Sequence, residues 1–349
     1  MLTVSSSSKV YVCCFNGLIT GGVELAHQLV SILNENDIHA SIVYVDDKGS
    51  ICDHPKVPEE YSHYNLNVAT LIEDDPQNVL VLFEAIFHKY REYTHCQLIF
   101  WWLSVDNFYT CSSHFLSLSD YLKLGFREWF YQFSKRIYRL AFQQRNTFRD
   151  NFTIKELSES RALNCYQSIY AQHFLLNHHF PKTLPLSDYI NTEFITDDFS
   201  SGREDKILFN PKKGYAFTNK IRKATPHLKW VKLEGMTRHQ LQEQFQTSKL
   251  YVDFGNHPGK DRIPREAAIN GCCIMTNQRG SAKNFEDVSV PVRFKINDKK
   301  TTKEEIIALI EEVLKNYEAY KPEFDFYRKR ILEEKKIFEM QVKAIFGIG

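Results

Sequence analysis

The chain has 349 residues, more than one ordinary hydrophobic core holds and suited to two domains of about 150 residues each plus a terminal extension. With 43% hydrophobic and 25% charged residues it falls outside the disordered class, and a formal net charge of +1 gives no general attraction to nucleic acid. No run reaches the ~18 to 20 apolar residues that span a bilayer, and MLTVSSSSKVYVCCF lacks the regions of a signal peptide, so a soluble, cytoplasmic protein is expected.

The first segment reads as a β-α-β unit: KVYVCCF is strand-like, GLITGG is a loop, VELAHQLVSILNEN has helical apolar spacing, and ASIVYVDD is a second strand. A glycine loop that follows a strand and opens a helix offers bare amides and a helix dipole to an anion or a sugar hydroxyl. Gly21 and Gly22 are therefore cleft-lining candidates, with a plain tight β-α turn as the alternative. The loop does not match G-x-G-x-x-G, which counts against a nicotinamide enzyme.

VLVLFEAIF and QLIFWWLSV then read as buried strands of a parallel sheet, completing a Rossmann-like N-terminal domain over residues 1–188. Each ends near a carboxylate, Glu84 and Asp106, at the strand end where a cleft residue is expected. Asp106 fits a stabiliser of developing positive charge or a base for an acceptor hydroxyl, unless it caps the next helix. Between about 118 and 152 a helical insertion carries Lys123, Arg127, Lys135, Arg136, Arg139, Arg145 and Arg149 among interleaved aromatics. Residues 121–152 fit either a peripheral contact with the inner face of a membrane or a helical hairpin packed on its own domain.

A polar, glycine- and serine-bearing linker spans 189–204, and a second α/β pattern runs over 205–300: KILFNPKKG, FTNKIRKA, LKWVKLEG, TRHQLQEQFQTS, KLYVDFG, PREAAINGC and CIMTNQ. Residues 301–349 read as charged helices broken once at Pro322, packing back toward the N-terminal domain. The eight cysteines include two vicinal pairs and no C-x-x-C, as for buried free thiols in a reducing compartment. H-E-x-x-H, Cys/His clusters and D-x-D motifs are missing from the sequence, so neither a metal site nor a cofactor is expected.

The richest constellation lies between Tyr251 and Ser281. There Lys260, Arg262 and Arg265 stand with Asp261 and Glu266 between a strand and a helix opening near Pro264. Cations beside a helix N-terminus suit a diphosphate, and a carboxylate such as Glu266 can accept both hydroxyls of a ribose; a solvated charge cluster is the alternative.

The run from Leu250 to Ser281 resembles the donor-binding region of GT-B glycosyltransferases of the family-4 type. Glu266, Ala267 and Ala268 match the second half of its motif, Gly271 the helix end, and Gly280, Ser281 and Ala282 the following turn. Pro258 occupies the place of the family's first glutamate, before Gly259, which leaves His257, Lys260 and Asp261 as substitutes for binding the donor sugar. The stretch Phe209 to Gly214 sits where the family carries a basic residue for the donor diphosphate, implicating Asn210, Lys212 and Lys213. Leu233 to Thr237, with Gly235, is similar to the loop that packs on the nucleotide base, and Ser187 to Asn191 resembles the interdomain linker.

The resemblance implies an α/β, GT-B architecture of two Rossmann-like domains facing across a cleft, with a C-terminal helical extension. It implies a metal-independent glycosyltransferase of bacterial surface polysaccharide or capsule assembly, with retention expected ahead of inversion. The donor is a nucleotide-diphosphate sugar as co-substrate, the acceptor a glycan or lipid-linked glycan, and the catalytic candidates are Asp106 and Glu266. The alternatives are a GT-B-like sugar-nucleotide epimerase and an inactive sugar-nucleotide-binding scaffold at the membrane.

Overall fold

Short apolar runs too hydrophobic for a half-solvated sheet become strands covered on both faces, as parallel sheets require. The computed structural model describes residues 2–46, 49–111, 130, 134, 154–195 and 202–348. Two units divide the chain: Met1–Tyr166 with Phe174–Pro185 and Val342–Gly349, and Gln167–His173 with Leu186–Gln341.

In the first unit, β1 (Lys9–Phe15) leads into α1 (Gly21–Glu35), followed by β2 (His39–Val45), β3 (Asn67–Val68), β4 (Val79–Phe83) and β5 (Gln97–Trp102). After β5 come α2 (Val105–Cys111), α3 (Ile154–Ser158), β6 (Leu163–Tyr166), α4 (Ile169–Asn177) and β7 (Thr183–Pro185), of which α4 begins among residues of the second unit. The seven strands pair in the order β3-β2-β1-β4-β5-β6-β7, every pair parallel. Residues 10–14 of β1 and all of β4 are buried, each large aliphatic chain contributing about 1.5–3 kcal/mol by leaving water. Gly21 and Gly22 fall in the first turn of α1, whose cap is Thr20, accepting from the Val23 amide at 3.4 Å. The basic and aromatic insertion expected at 118–152 lies outside the described residues apart from positions 130 and 134.

The second unit runs β8 (Glu204–Phe209), α5 (Tyr215–Ala224), β9 (Lys229–Lys232), α6 (Arg238–Thr247), β10 (Ser248–Asp253), α7 (Arg262–Ile269), β11 (Cys273–Asn277) and β12 (Lys295–Ile296). Its strand order is β12-β11-β10-β8-β9, again all parallel. The C-terminal segment breaks at two places, not at Pro322 alone. Helix α8 (Lys303–Lys315) stops at Asn316, and α9 (Tyr317–Tyr320) and a 3-10 turn containing Pro322 precede α10 (Asp325–Phe346). Asparagine competes for its own backbone and ends helices readily, the signal that outranks continuous periodicity here.

Candidate functional site

In an open parallel sheet the crevice for a ligand lies outside the carboxyl ends of the strands where the winding reverses. In the second unit that place is the β8/β10 pair, since β8 is flanked by β9 on one side and β10 on the other. The loops leaving β8 (residues 210–214) and β10 (residues 254–261) hold seven of the twelve donor-binding residues expected from sequence.

These loops touch through bare backbone. Gly214 has φ of 58°, and a Cβ there would fall 2.5 Å from the Phe254 carbonyl, while a Cβ on Gly255 would fall 2.4 Å from Lys213 Cβ. From β11, Asn277 Nδ2 donates to Phe254 O and Gly255 O at 2.7 Å each. The turn after β11 seals the loop from another side: Ser281 N donates to His257 O at 2.9 Å and Ser281 Oγ to Gly259 O at 2.6 Å. Gly280 has φ of 57°, and a Cβ there would stand 2.0 Å from His257 O.

A chain of charges runs through this frame. Lys213 Nζ lies 2.6 Å from Asp261 Oδ1, Asp261 Oδ2 lies 2.8 Å from His257 Nδ1, and His257 Nε2 lies 3.7 Å from Asp253 Oδ1. Asp253 is held by Tyr251 Oη and by the Gly255 amide, each donating at 3.0 Å. Burial disfavours the His257 imidazolium, but Asp253 and Asp261 outweigh it and move the ring's pKa above its ordinary value. Burial likewise disfavours the Asp261 anion, and the His257 hydrogen bond and Lys213 reverse that, holding its carboxyl below the usual range.

Asp253, His257 and Asp261 also form the one group, among the described residues, whose metal-ligating atoms lie within 4.8 Å of one another. A metal ion there would compete with the Lys213 ammonium for Asp261. It would also bind one ring nitrogen only, whereas the two nitrogens face different carboxylates.

A second ionic set is buried behind the loop. Arg265 stands 2.5 Å from Asp188 and 2.7 Å from Glu334, and Lys260 Nζ is 2.7 Å from Glu334 and 3.7 Å from Asp188. Side-chain exposures are 0% for Arg265, 4% for Asp188, 7% for Glu334 and 13% for Lys260. Burial opposes the charge on Arg265, and Asp188 and Glu334 overcome it, raising the guanidinium's pKa; Asp188 is lowered in return despite its burial.

The residues expected from sequence thus separate. Lys212 is exposed, its amide turned onto Asn210 Oδ1 at 3.0 Å. Arg262 and Glu266 approach to 3.4 Å in the first turns of α7. Gly235, with φ of 67°, is exposed after β9. His257 is fully enclosed, and Lys260 Nζ lies 2.7 Å from Glu334. Asp253, Asp188 and Glu334 are additions. Asp253 carries the same signal that singled out Asp106, a carboxylate closing an apolar strand. Glu334 sits on the buried stripe Tyr327, Ile331, Glu334, Phe338, where an acid at helical spacing among apolar residues marks a buried pair.

In the first unit the winding reverses at β1/β4. Glu84 directly follows β4 and is buried, accepting from the Leu103 amide at 3.1 Å, and burial pushes its carboxyl up to about 7. A Cβ on Gly22 would meet Leu103 Cδ1 at 3.4 Å, so Gly22 and Glu84 flank one residue. Asp106 is half-buried in the first turn of α2, and the capping side chain there is Ser104, whose Oγ accepts from the Asn107 amide at 3.1 Å.

No protein-family model and no curated protein sequence matches this chain. Solved structures do. Sucrose-phosphate synthase from Thermosynechococcus elongatus matches over 97% of this chain and 98% of its own at 9% identity, with a TM-score of 0.59. A trehalose-6-phosphate protein structure from E. coli, bound with UDP-2-fluoro glucose, matches over 96% and 99% at 9% identity and TM-score 0.56. A glycosyltransferase from Rickettsia africae matches over 97% of both chains at 11% identity and TM-score 0.53. The fold is the α/β fold of GT-B glycosyltransferases, with a C-terminal helix.

Proposed function

We propose that the protein is a glycosyltransferase that moves a sugar from a nucleotide-diphosphate sugar to a glycan or lipid-linked glycan acceptor, in bacterial surface polysaccharide assembly. The observation that carries the reading is the meeting, at the winding reversal of the second sheet, of a lysine-bearing loop with the helix that bears Arg262 and Glu266. Lys212, Lys213 and Arg262 supply the cations a diphosphate leaving group needs as negative charge develops on it. Glu266, 5% exposed, is the carboxylate for the ribose hydroxyls.

In the proposed reaction the bond from the anomeric carbon to the diphosphate oxygen breaks and one to the acceptor oxygen forms, and the acceptor proton is released. Asp106 is the proposed stabiliser or base on the acceptor side, with Glu84, Gly21 and Gly22 as cleft residues. The cations named do the work otherwise given to a metal ion, and retention is proposed ahead of inversion. A peripheral membrane contact through 121–152 would serve a lipid-linked acceptor.

The test is a thermal-unfolding panel of nucleoside diphosphates and nucleotide sugars, with and without magnesium, followed by an assay for nucleoside diphosphate released on adding acceptor glycans. A bound donor at ~100 times its dissociation constant adds about 2.7 kcal/mol. A panel in which no nucleoside diphosphate raises the melting temperature removes the donor site, and one that binds donors yet never releases diphosphate removes the transferase activity.

A further inference from the structure

Burying two cations and two anions together is a poor way to gain stability, since desolvation offsets most of their attraction and apolar residues of the same volume would serve as well or better. The set formed by Asp188, Lys260, Arg265 and Glu334 therefore points to what it holds in place. Beyond its two carboxylates, the Arg265 guanidinium donates to the main chain: Nη2 to Lys260 O at 2.9 Å and Nε to Asp261 O at 3.1 Å. These carbonyls belong to the last residues of the β10 loop, the stretch that carries Asp261 and so fixes where Lys213 is held. Asn277 and Ser281 take the carbonyls of Phe254, Gly255, His257 and Gly259 in the same way. A carbonyl oxygen turned toward a diphosphate repels it, so a loop whose carbonyls are drawn into the protein admits an anion at lower cost.

We propose that the Asp188–Arg265–Glu334–Lys260 network is a positioning device for the donor loop, through which Glu334 of α10 and Asp188 set nucleoside diphosphate affinity without touching the nucleotide. This rests on the donor-site reading above. Glu334 fixes Arg265 and Lys260 together, Arg265 fixes the peptide carbonyls, and the loop then holds Lys213 of the β8 loop through Asp261 and leads into Arg262 of α7. Glu334, Asp188 and Arg265 are positioning residues, and Lys213 and Arg262 make the contacts.

The experiment measures UDP and ADP binding by calorimetry to the wild-type 349-residue chain and to Glu334→Gln, Asp188→Asn and Glu334→Asp, with amide hydrogen exchange over residues 255–262 and thermal unfolding of each. Glu334→Gln is expected to weaken the nucleotide that the wild type binds by about tenfold or more and to speed exchange in 255–262 above that of the β8 and β10 strands. Glu334→Asp is expected to recover most of the affinity. A folded Glu334→Gln protein with lowered melting temperature but unchanged nucleotide affinity overturns the proposal by showing a merely structural pair. Should Glu334→Gln not fold, Asp188→Asn carries the same comparison. If the wild type binds neither UDP nor ADP, the other nucleoside diphosphates of the panel above take their place; if it binds none of them, the donor reading falls by itself, and loop exchange in the variants still decides whether the network orders the loop.

Discussion

Lys213 and Asp261 meet at 2.6 Å across two loops that leave different strands of the second sheet. Asp261 is shared, since His257 stands 2.8 Å from its other oxygen, so the lysine is aimed by a carboxylate that already has a second partner. A diphosphate, with more charge than one carboxylate, can recruit such a lysine at little cost in ordering.

Lys213→Ala should therefore weaken nucleoside diphosphate binding by about 10- to 100-fold, following the ~1.5–3 kcal/mol of a hydrogen bond to a charged group. Calorimetric titration with UDP and ADP checks it. Affinity within twofold of wild type would take Lys213 out of the site.

Gly280→Ala should destabilise the second unit by about 2–4 kcal/mol. Left-handed backbone costs an alanine of order 1 kcal/mol, and its Cβ would stand 2.0 Å from His257 O, a backbone atom that cannot move without opening the loop. Urea unfolding followed on the second unit's Trp230 measures this, and a variant as stable as wild type would contradict the close approach. Gly235, with a similar φ but nothing within 4 Å of a Cβ, should lose only the conformational part.

The pH dependence of His257 has a definite sign. Its pKa is raised in the folded protein, against about 6.5 unfolded, with Asp253, Asp261 and Lys213 facing it. The stabilisation from its charge is complete below about 6.5 and is lost as pH rises through the folded value. The gap in unfolding free energy between wild type and His257→Gln should accordingly be widest near pH 6 and narrower at pH 9. A gap that grows with pH would mean the ring is neutral between its two aspartates.

Glu84 shifts stability in the same direction with pH for the opposite reason, since here the charged form is the one the fold disfavours. Its folded pKa of about 7 exceeds the unfolded value of about 4.3, so the protein loses stability as pH climbs from about 4 through 7. The side-chain amide introduced by Glu84→Gln keeps an oxygen for the Leu103 amide and carries no charge. The variant should match wild type near pH 4 and unfold at higher denaturant than wild type at pH 8. Equal stability at both values would show that the carboxylate ionises freely in the fold.

Much of the fold was legible because its signals are local. Apolar runs such as VLVLF and QLIFWW read by their shortness and apolar content as strands buried on both faces, and Asn277 to Ser281 reads as a turn from its glycine. What escaped was pairing across distance. The three cations of the Lys260 to Arg265 stretch look alike in sequence, and nothing local says that Lys260 and Arg265 spend their charge on Glu334 and Asp188 while Arg262 approaches Glu266. His257 borders the vacated glutamate position in sequence, and nothing local says that Gly280 and Ser281 close over its main chain and that the ring is buried. The short strands β3 and β7 carry too few residues to show any period.

The place of Glu334 in chain order has a consequence for synthesis. Lys260 and Arg265 leave the ribosome well before the helix that supplies one of their two counter-charges. Until α10 arrives, the β10 loop carries cations that burial would penalise, and it has reason to stay open to water. The second unit therefore completes its ion network only when α10 is made. A nascent or shortened chain ending ahead of that helix would hold the strands of the sheet while lacking the ordered loop.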